Sequence, residues 1–107
     1  MDRPVPVSLL KIPEDEMTLT HAILRLELPE SHSLKGRRRV LNSLKERLRV
    51  FNISILDISG SYVREAEIAL AWLAHDPRHS AQIRQSVERV LERHFSEYSW
   101  DLEIEEI

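Results

Sequence analysis

The chain has 107 residues, 42% of them hydrophobic and 31% charged, with a net charge of −3, values that fit one soluble globular domain with its own core. It has no cysteine, which excludes a disulfide framework, a thiolate zinc site and a thiol nucleophile. No run approaches the roughly 18 apolar residues of a membrane span and residues 1–16 lack a signal-peptide core, so the expected setting is cytoplasmic, without a membrane.

Residues 1–17 carry Pro4, Pro6, Pro13 and an acidic cluster at Glu14 to Glu16 without periodicity. They read as a flexible N-terminal tail to a single domain over 18–107. From Thr18 to Leu28, Ala22, Leu24, Leu26 and Leu28 alternate with His21, Ile23, Arg25 and Glu27, the pattern of a strand with one buried face. Pro29 to Ser31 ends it, and Ser33 is placed to cap a helix.

That helix, His32 to Phe51, repeats Leu34, Leu41, Leu44, Leu48 and Phe51 on one sector, with Val40 beside them. It also concentrates positive charge: Lys35, Arg37, Arg38, Arg39, Lys45, Arg47 and Arg49 face a single acid, Glu46, within an acidic protein. Lys35, Arg38, Lys45 and Arg49 fall in a stripe beside the apolar sector, and Arg39 widens it. Such a stripe suits nucleic-acid phosphates, and it also fits an ordinary solvated helix face.

Four cations crowd the first turns, where each opposes the helix dipole by about 0.3–1 kcal/mol. With free backbone N–H groups and Gly36, which would let a ligand approach closely, they describe an anion or phosphate site; Gly36 equally fits a neutral replacement in a frayed first turn. His32 adds a pH-sensitive member. Arg37 points into the apolar sector, so its head either snorkels out from the core edge or pairs with an acid on the sheet.

Asn52 ends the helix. Ile53 to Ser59 reads as a β-branched strand with imperfect alternation, and Ser59 to Ser61 as a turn. A third strand, Glu65 to Ala74, is apolar in both phases, as expected of a central strand with a second face covered by another subunit. Asp76-Pro77 starts a second helix, with Ile83, Val87, Val90, Leu91 and Phe95 as its buried stripe and its end near Ser96. Tyr98 to Glu106 alternates apolar residues with Ser99, Asp101, Glu103 and Glu105, a strand with an acidic outer row.

The order strand, helix, strand, strand, helix, strand predicts an α+β fold, the ferredoxin-like βαββαβ plait with both helices on one face of a four-stranded antiparallel sheet. Right-handed crossovers place the first and third strands in its centre. No catalytic pair, phosphate loop or cofactor motif is present. His75 and His79 lack a third ligand, so no metal is expected.

Within this frame SLKGRRRVLNSLKERLRVFNISILDI resembles the YlxP-like family, domain of unknown function 503. The resemblance rests on Ser33, Leu34, Lys35, Arg37, Arg38, Leu44, Leu48, Phe51, Asn52 and Asp57, with Ala66-Glu67 and Asp76 beyond. It covers Thr18 to Ile107 and implies a ferredoxin-like fold. Genes of the family often lie among those for translation initiation and ribosome maturation, which implies a ribosome- or RNA-associated role. Arg37 replaces a lysine, Gly36 stands where the family has an acid, and Ser59 to Tyr62 departs from the family's polar stretch.

Two functions are expected in competition. In the first, the chain binds structured RNA, ribosomal or other, without catalysis, through His32, Lys35, Arg37, Arg38, Arg39, Lys45 and Arg49. In the second it is a protein-interaction or dimeric adaptor module, using the sheet face and the acidic last strand, with a homodimer through the sheet as one form.

Overall fold

The computed structural model describes residues 17–106. Residues 1–16 of the expected tail lie outside the described residues. The elements are β1 (Thr18–Glu27), α1 (Leu34–Arg49), β2 (Ser54–Asp57), β3 (Glu65–Ala74), α2 (Pro77–His94) and β4 (Ser99–Glu106). The strands form one sheet in the order β2-β3-β1-β4, and each neighbouring pair is antiparallel. This is the expected ferredoxin-like plait, with β1 and β3 central.

Alternation decides which side of the sheet meets the helices. Ala22, Leu24 and Leu26 of β1 and Ile68, Leu70 and Trp72 of β3 are buried, and they pack with Leu41, Leu44 and Leu48 of α1 and Val87 and Leu91 of α2. The other phase of each strand faces away from both helices. That phase of β3 is uneven. Ala69 and Ala71 are half-buried and Leu73 is exposed.

Local chemistry sets the helix limits. The Ser33 hydroxyl accepts the Gly36 backbone N–H at 3.0 Å, as a capping residue should. At the other end Phe51 and Asn52 donate backbone bonds to Leu48 and Arg49. Asn52 sits at φ 59, a left-handed conformation that asparagine tolerates better than most residues. So α1 closes at Arg49, two residues short of the predicted end. Asp76 caps α2 through the His79 N–H at 2.7 Å, with Pro77 in the first position.

Some expectations need correcting. Leu34, assigned to the apolar sector, is the first residue of α1 and is half exposed. The second strand is only four residues long. The Asp57 carboxylate accepts the Ser59 N–H at 2.9 Å, and the Ser59 hydroxyl accepts from the Glu67 N–H at 3.0 Å. One more backbone bond, from the Ile58 N–H to the Glu67 carbonyl at 2.9 Å, follows the strand, and beyond it the Ser59 side chain takes over the pairing.

One buried polar chain ties α2 to the sheet. The Ser80 hydroxyl accepts the Trp72 indole N–H at 3.0 Å and shares a hydrogen bond with the Thr20 hydroxyl at 2.7 Å. Thr20, Trp72 and Ser80 are all buried, so each satisfies a group that would otherwise be costly.

Candidate nucleic-acid interface

The basic stripe of α1 is present on the surface. Lys35, Arg38, Arg39, Arg47 and Arg49 are exposed and Lys45 is half-buried. Lys35, Arg38, Asn42, Lys45 and Arg49 advance by alternating steps of three and four, which lines them up along the helix over about 21 Å at 1.5 Å per residue. Among the described residues none of these cations is ion-paired. The ion pairs that exist involve His21, Arg25 and Arg84 instead.

Arg37 does not join the stripe. It is only 8% exposed, and its Nη1 donates to the carbonyl oxygens of Gly60, Tyr62 and Glu65 at 2.7, 2.9 and 3.2 Å. Of the two placements open from the sequence, neither is quite realised. The head turns inward, yet it holds the backbone between β2 and β3 rather than an acid.

The anion site expected in the first turn is also altered by its surroundings. Ser33 occupies the Gly36 N–H, so that donor is not free. A Cβ at Gly36 would meet the Ser33 and Ser31 hydroxyls at 3.4 and 3.6 Å, ordinary van der Waals distances, so neither space nor backbone requires the glycine. His32, Lys35 and Arg39 do come together around an open depression of about 420 Å³, shared with one acid, Glu30, and with Ser31, Ser33 and Tyr98. Partial burial and the charge of Glu97 push the Tyr98 hydroxyl above its usual range.

The charge of Lys45 is felt at Asp57 of β2. Partial burial alone would raise the Asp57 pKa, but hydrogen bonds from Ser59 and the positive charges of Arg37 and Lys45 outweigh it and hold the carboxyl below its usual range. The exposed cations of the stripe and its flank are Lys35, Arg38, Arg39 and Arg49.

Sequence reading passed over the arginines of α2. Arg89 and Arg93 line a depression of about 260 Å³ together with Phe51, so the basic surface continues past the end of α1. Their spacing against Ile83, Val87 and Val90 marks them as outward-facing. Only the fold brings them beside the first helix.

Charge is thus sorted by layer. The two helices hold eleven lysines and arginines against Glu46, Glu88 and Glu92. The four strands hold Arg25 against eight acids. On the open side of the sheet Arg25 reaches Glu103 at 3.0 Å, Asp101 at 3.6 Å and Glu67 at 3.9 Å. The hydrogen bond to Glu103, with the charges of all three acids, raises its pKa against the opposing effect of desolvation.

His75 and His79 stack at 5.2 Å, and the His79 Nδ1 accepts the His75 backbone N–H at 3.0 Å. Among the described residues no group of three or more His, Cys, Asp or Glu side chains is placed to hold a metal. No described helix is long and apolar enough to cross a membrane.

Fold and surface together define a small ferredoxin-like α+β protein with a basic helical layer and an acidic open sheet. The chain belongs to the family described as Protein of unknown function (DUF503), whose pattern matches residues 19–104. No curated protein matches it. Among solved structures it is similar to a de novo designed protein, Foldit4, at 10% identity over 84% of this chain and 97% of the other, with a TM-score of 0.53. It is also similar to part of a hydantoinase/carbamoylase family amidase from Burkholderia ambifaria, at 7% identity over 87% of this chain and 28% of that one, with a TM-score of 0.53. At these identities the likeness concerns the fold alone.

Proposed function

We propose that this protein is a non-catalytic module that binds structured RNA, ribosomal or other, through the exposed stripe of α1. The observation that carries this reading is the row of cations without ion pairs among the described residues, set on a helix whose first turn holds no acid. An ordinary solvated helix gains from interleaved acids at i, i+4. This one has a single glutamate, and its first-turn cations oppose the dipole. The depression around His32, Lys35 and Arg39 gives the stripe a concave end for a phosphate to enter.

The mode of recognition follows from what the surface lacks. Sheet-based RNA readers stack bases on aromatic side chains. Here the open sheet carries acids, and Trp72 and Phe95 are buried on the other side. The sheet repels a phosphate backbone, which leaves the helix layer to read backbone and shape.

The test is titration of a structured RNA at two salt concentrations with wild type, Arg38→Glu/Arg49→Glu and Arg78→Glu. The double variant should bind more weakly and lower the salt slope by about 0.9 or less for each phosphate it no longer neutralises. Arg78→Glu, at the start of α2, should change binding little. Equal affinity for wild type and double variant, or affinity independent of salt, sinks the reading.

A further inference from the structure

The face of the sheet away from the helices carries two kinds of surface side by side. Register places Leu73 opposite Leu19, Ala71 opposite His21 and Ala69 opposite Ile23, with Leu56 of β2 opposite Ala69. Leu56 and Leu73 are 64% and 59% exposed and Leu19 is 39% exposed. The two alanines between these larger residues make a low floor, and Leu19, Ala71 and Leu73 line a shallow trough of about 330 Å³. Isolated exposed leucines need no explanation, but Leu19 beside Leu73, continued along the alanine floor to Ile23 and Leu56 at its other end, marks a contact surface.

Acids border this floor on two sides. Asp101, Glu103 and Glu105 run along the β4 edge, and Glu27, Glu65 and Glu67 close the end where β1 meets β3. Arg25 is the one arginine or lysine of the strands, and it is shared among three of these acids. His21 lies 3.5 Å from Glu105 and offsets charge only when protonated. Glu27 and Glu65 form no ion pair among the described residues.

We propose that this face docks a cationic amphipathic segment of a partner protein, with its apolar side on the Ala69–Ala71 floor and its lysines or arginines against the β4 acids. Charge decides between occupants. A second copy packed face to face would bring two acidic borders together with only Arg25 and His21 to offset them, and like charges across an interface disfavour the pairing. RNA is repelled by the same border. A segment with apolar residues at helical spacing flanked by cations satisfies both halves. The surface is separate from the α1 stripe, so either reading can fail alone.

The probe is a synthetic amphipathic peptide of about 18 residues, leucine on one side and lysine on the other, with a scrambled-order control and a Glu-for-Lys control. Binding to the full chain is followed by anisotropy and by amide NMR shifts. The ordered peptide should shift Ile23, Leu56, Ala69 and Ala71 and bind more weakly as salt rises. Leu73→Ser should weaken it by about tenfold, and Glu103→Gln/Glu105→Gln by about fivefold. All three positions are exposed, so the fold should tolerate the changes, which the amide spectrum of each variant checks. The proposal is overturned by equal binding of the scrambled or acidic peptide, by shifts elsewhere, or by no binding. A dimer in light scattering that Leu73→Ser dissolves would assign the face to a second copy and overturn it equally.

Discussion

Replacing Arg37 with methionine keeps the stem that lies against the core and deletes the head. Three carbonyl groups, at 2.7 to 3.2 Å from Nη1, lose a charged donor. Hydrogen bonds to charged groups contribute about 1.5–3 kcal/mol each, but the sum overstates the effect. The three bonds are only part-buried, so water can replace some of what is lost, and the variant no longer buries a guanidinium. A net loss of about 2–3 kcal/mol is expected. With a urea slope of about 1–3 kcal/mol per molar, the unfolding midpoint should fall by about 1 M. Amide exchange between β2 and β3 should accelerate more than exchange in the core. Arg37→Lys should recover only part, because an ammonium cannot reproduce the fixed fork of donors. RNA affinity, measured where the variant remains folded, should change far less than in Arg38→Glu/Arg49→Glu. An unshifted midpoint with unchanged exchange at residues 59–65 would refute the clasp.

Two further outcomes are expected. Ser80→Ala leaves the Trp72 indole N–H and the Thr20 hydroxyl without their shared partner, and urea denaturation followed by tryptophan fluorescence should show a loss of about 1–3 kcal/mol. Asp57 has a folded-state pKa below its ordinary value, so its stabilising share is present above the unfolded value of about 4 and fades as pH falls through the lower folded value. Asp57→Asn should lower the thermal midpoint near neutrality and flatten its decline in acid, and parallel wild-type and variant pH curves would count against that role.

The plait was legible because its signal is periodic. The alternation of β1 and β4 and the leucine spacing of α1 each report burial on one side, and Asp76-Pro77 marks a boundary by backbone chemistry alone. Leu34 shares the phase of the buried leucines but opens the helix half exposed, and periodicity reports phase without telling how much of the first turn is covered. The short β2 was hidden because Ser59 substitutes its hydroxyl for a backbone partner, which strand propensity does not encode. For the surface, the α1 stripe could be read from one helix, whereas Arg89 and Arg93 needed the second helix placed beside the first. Arg37 shows the limit most clearly. Its inward phase was evident, but its partners are carbonyls some 23 to 28 residues away, and backbone oxygens leave no mark in sequence.

The sorting of charge by layer has a kinetic consequence. Far from a polyanion the protein presents its net charge of −3 and is repelled. Nearby, the separation of positive helices from negative strands acts as an electric dipole that turns the helices inward before contact. Added salt should therefore affect association and residence differently. At low ionic strength, where the Debye length is about 30 Å, modest salt should relieve the long-range repulsion and speed encounter, while it weakens the bound contacts and shortens their lifetime.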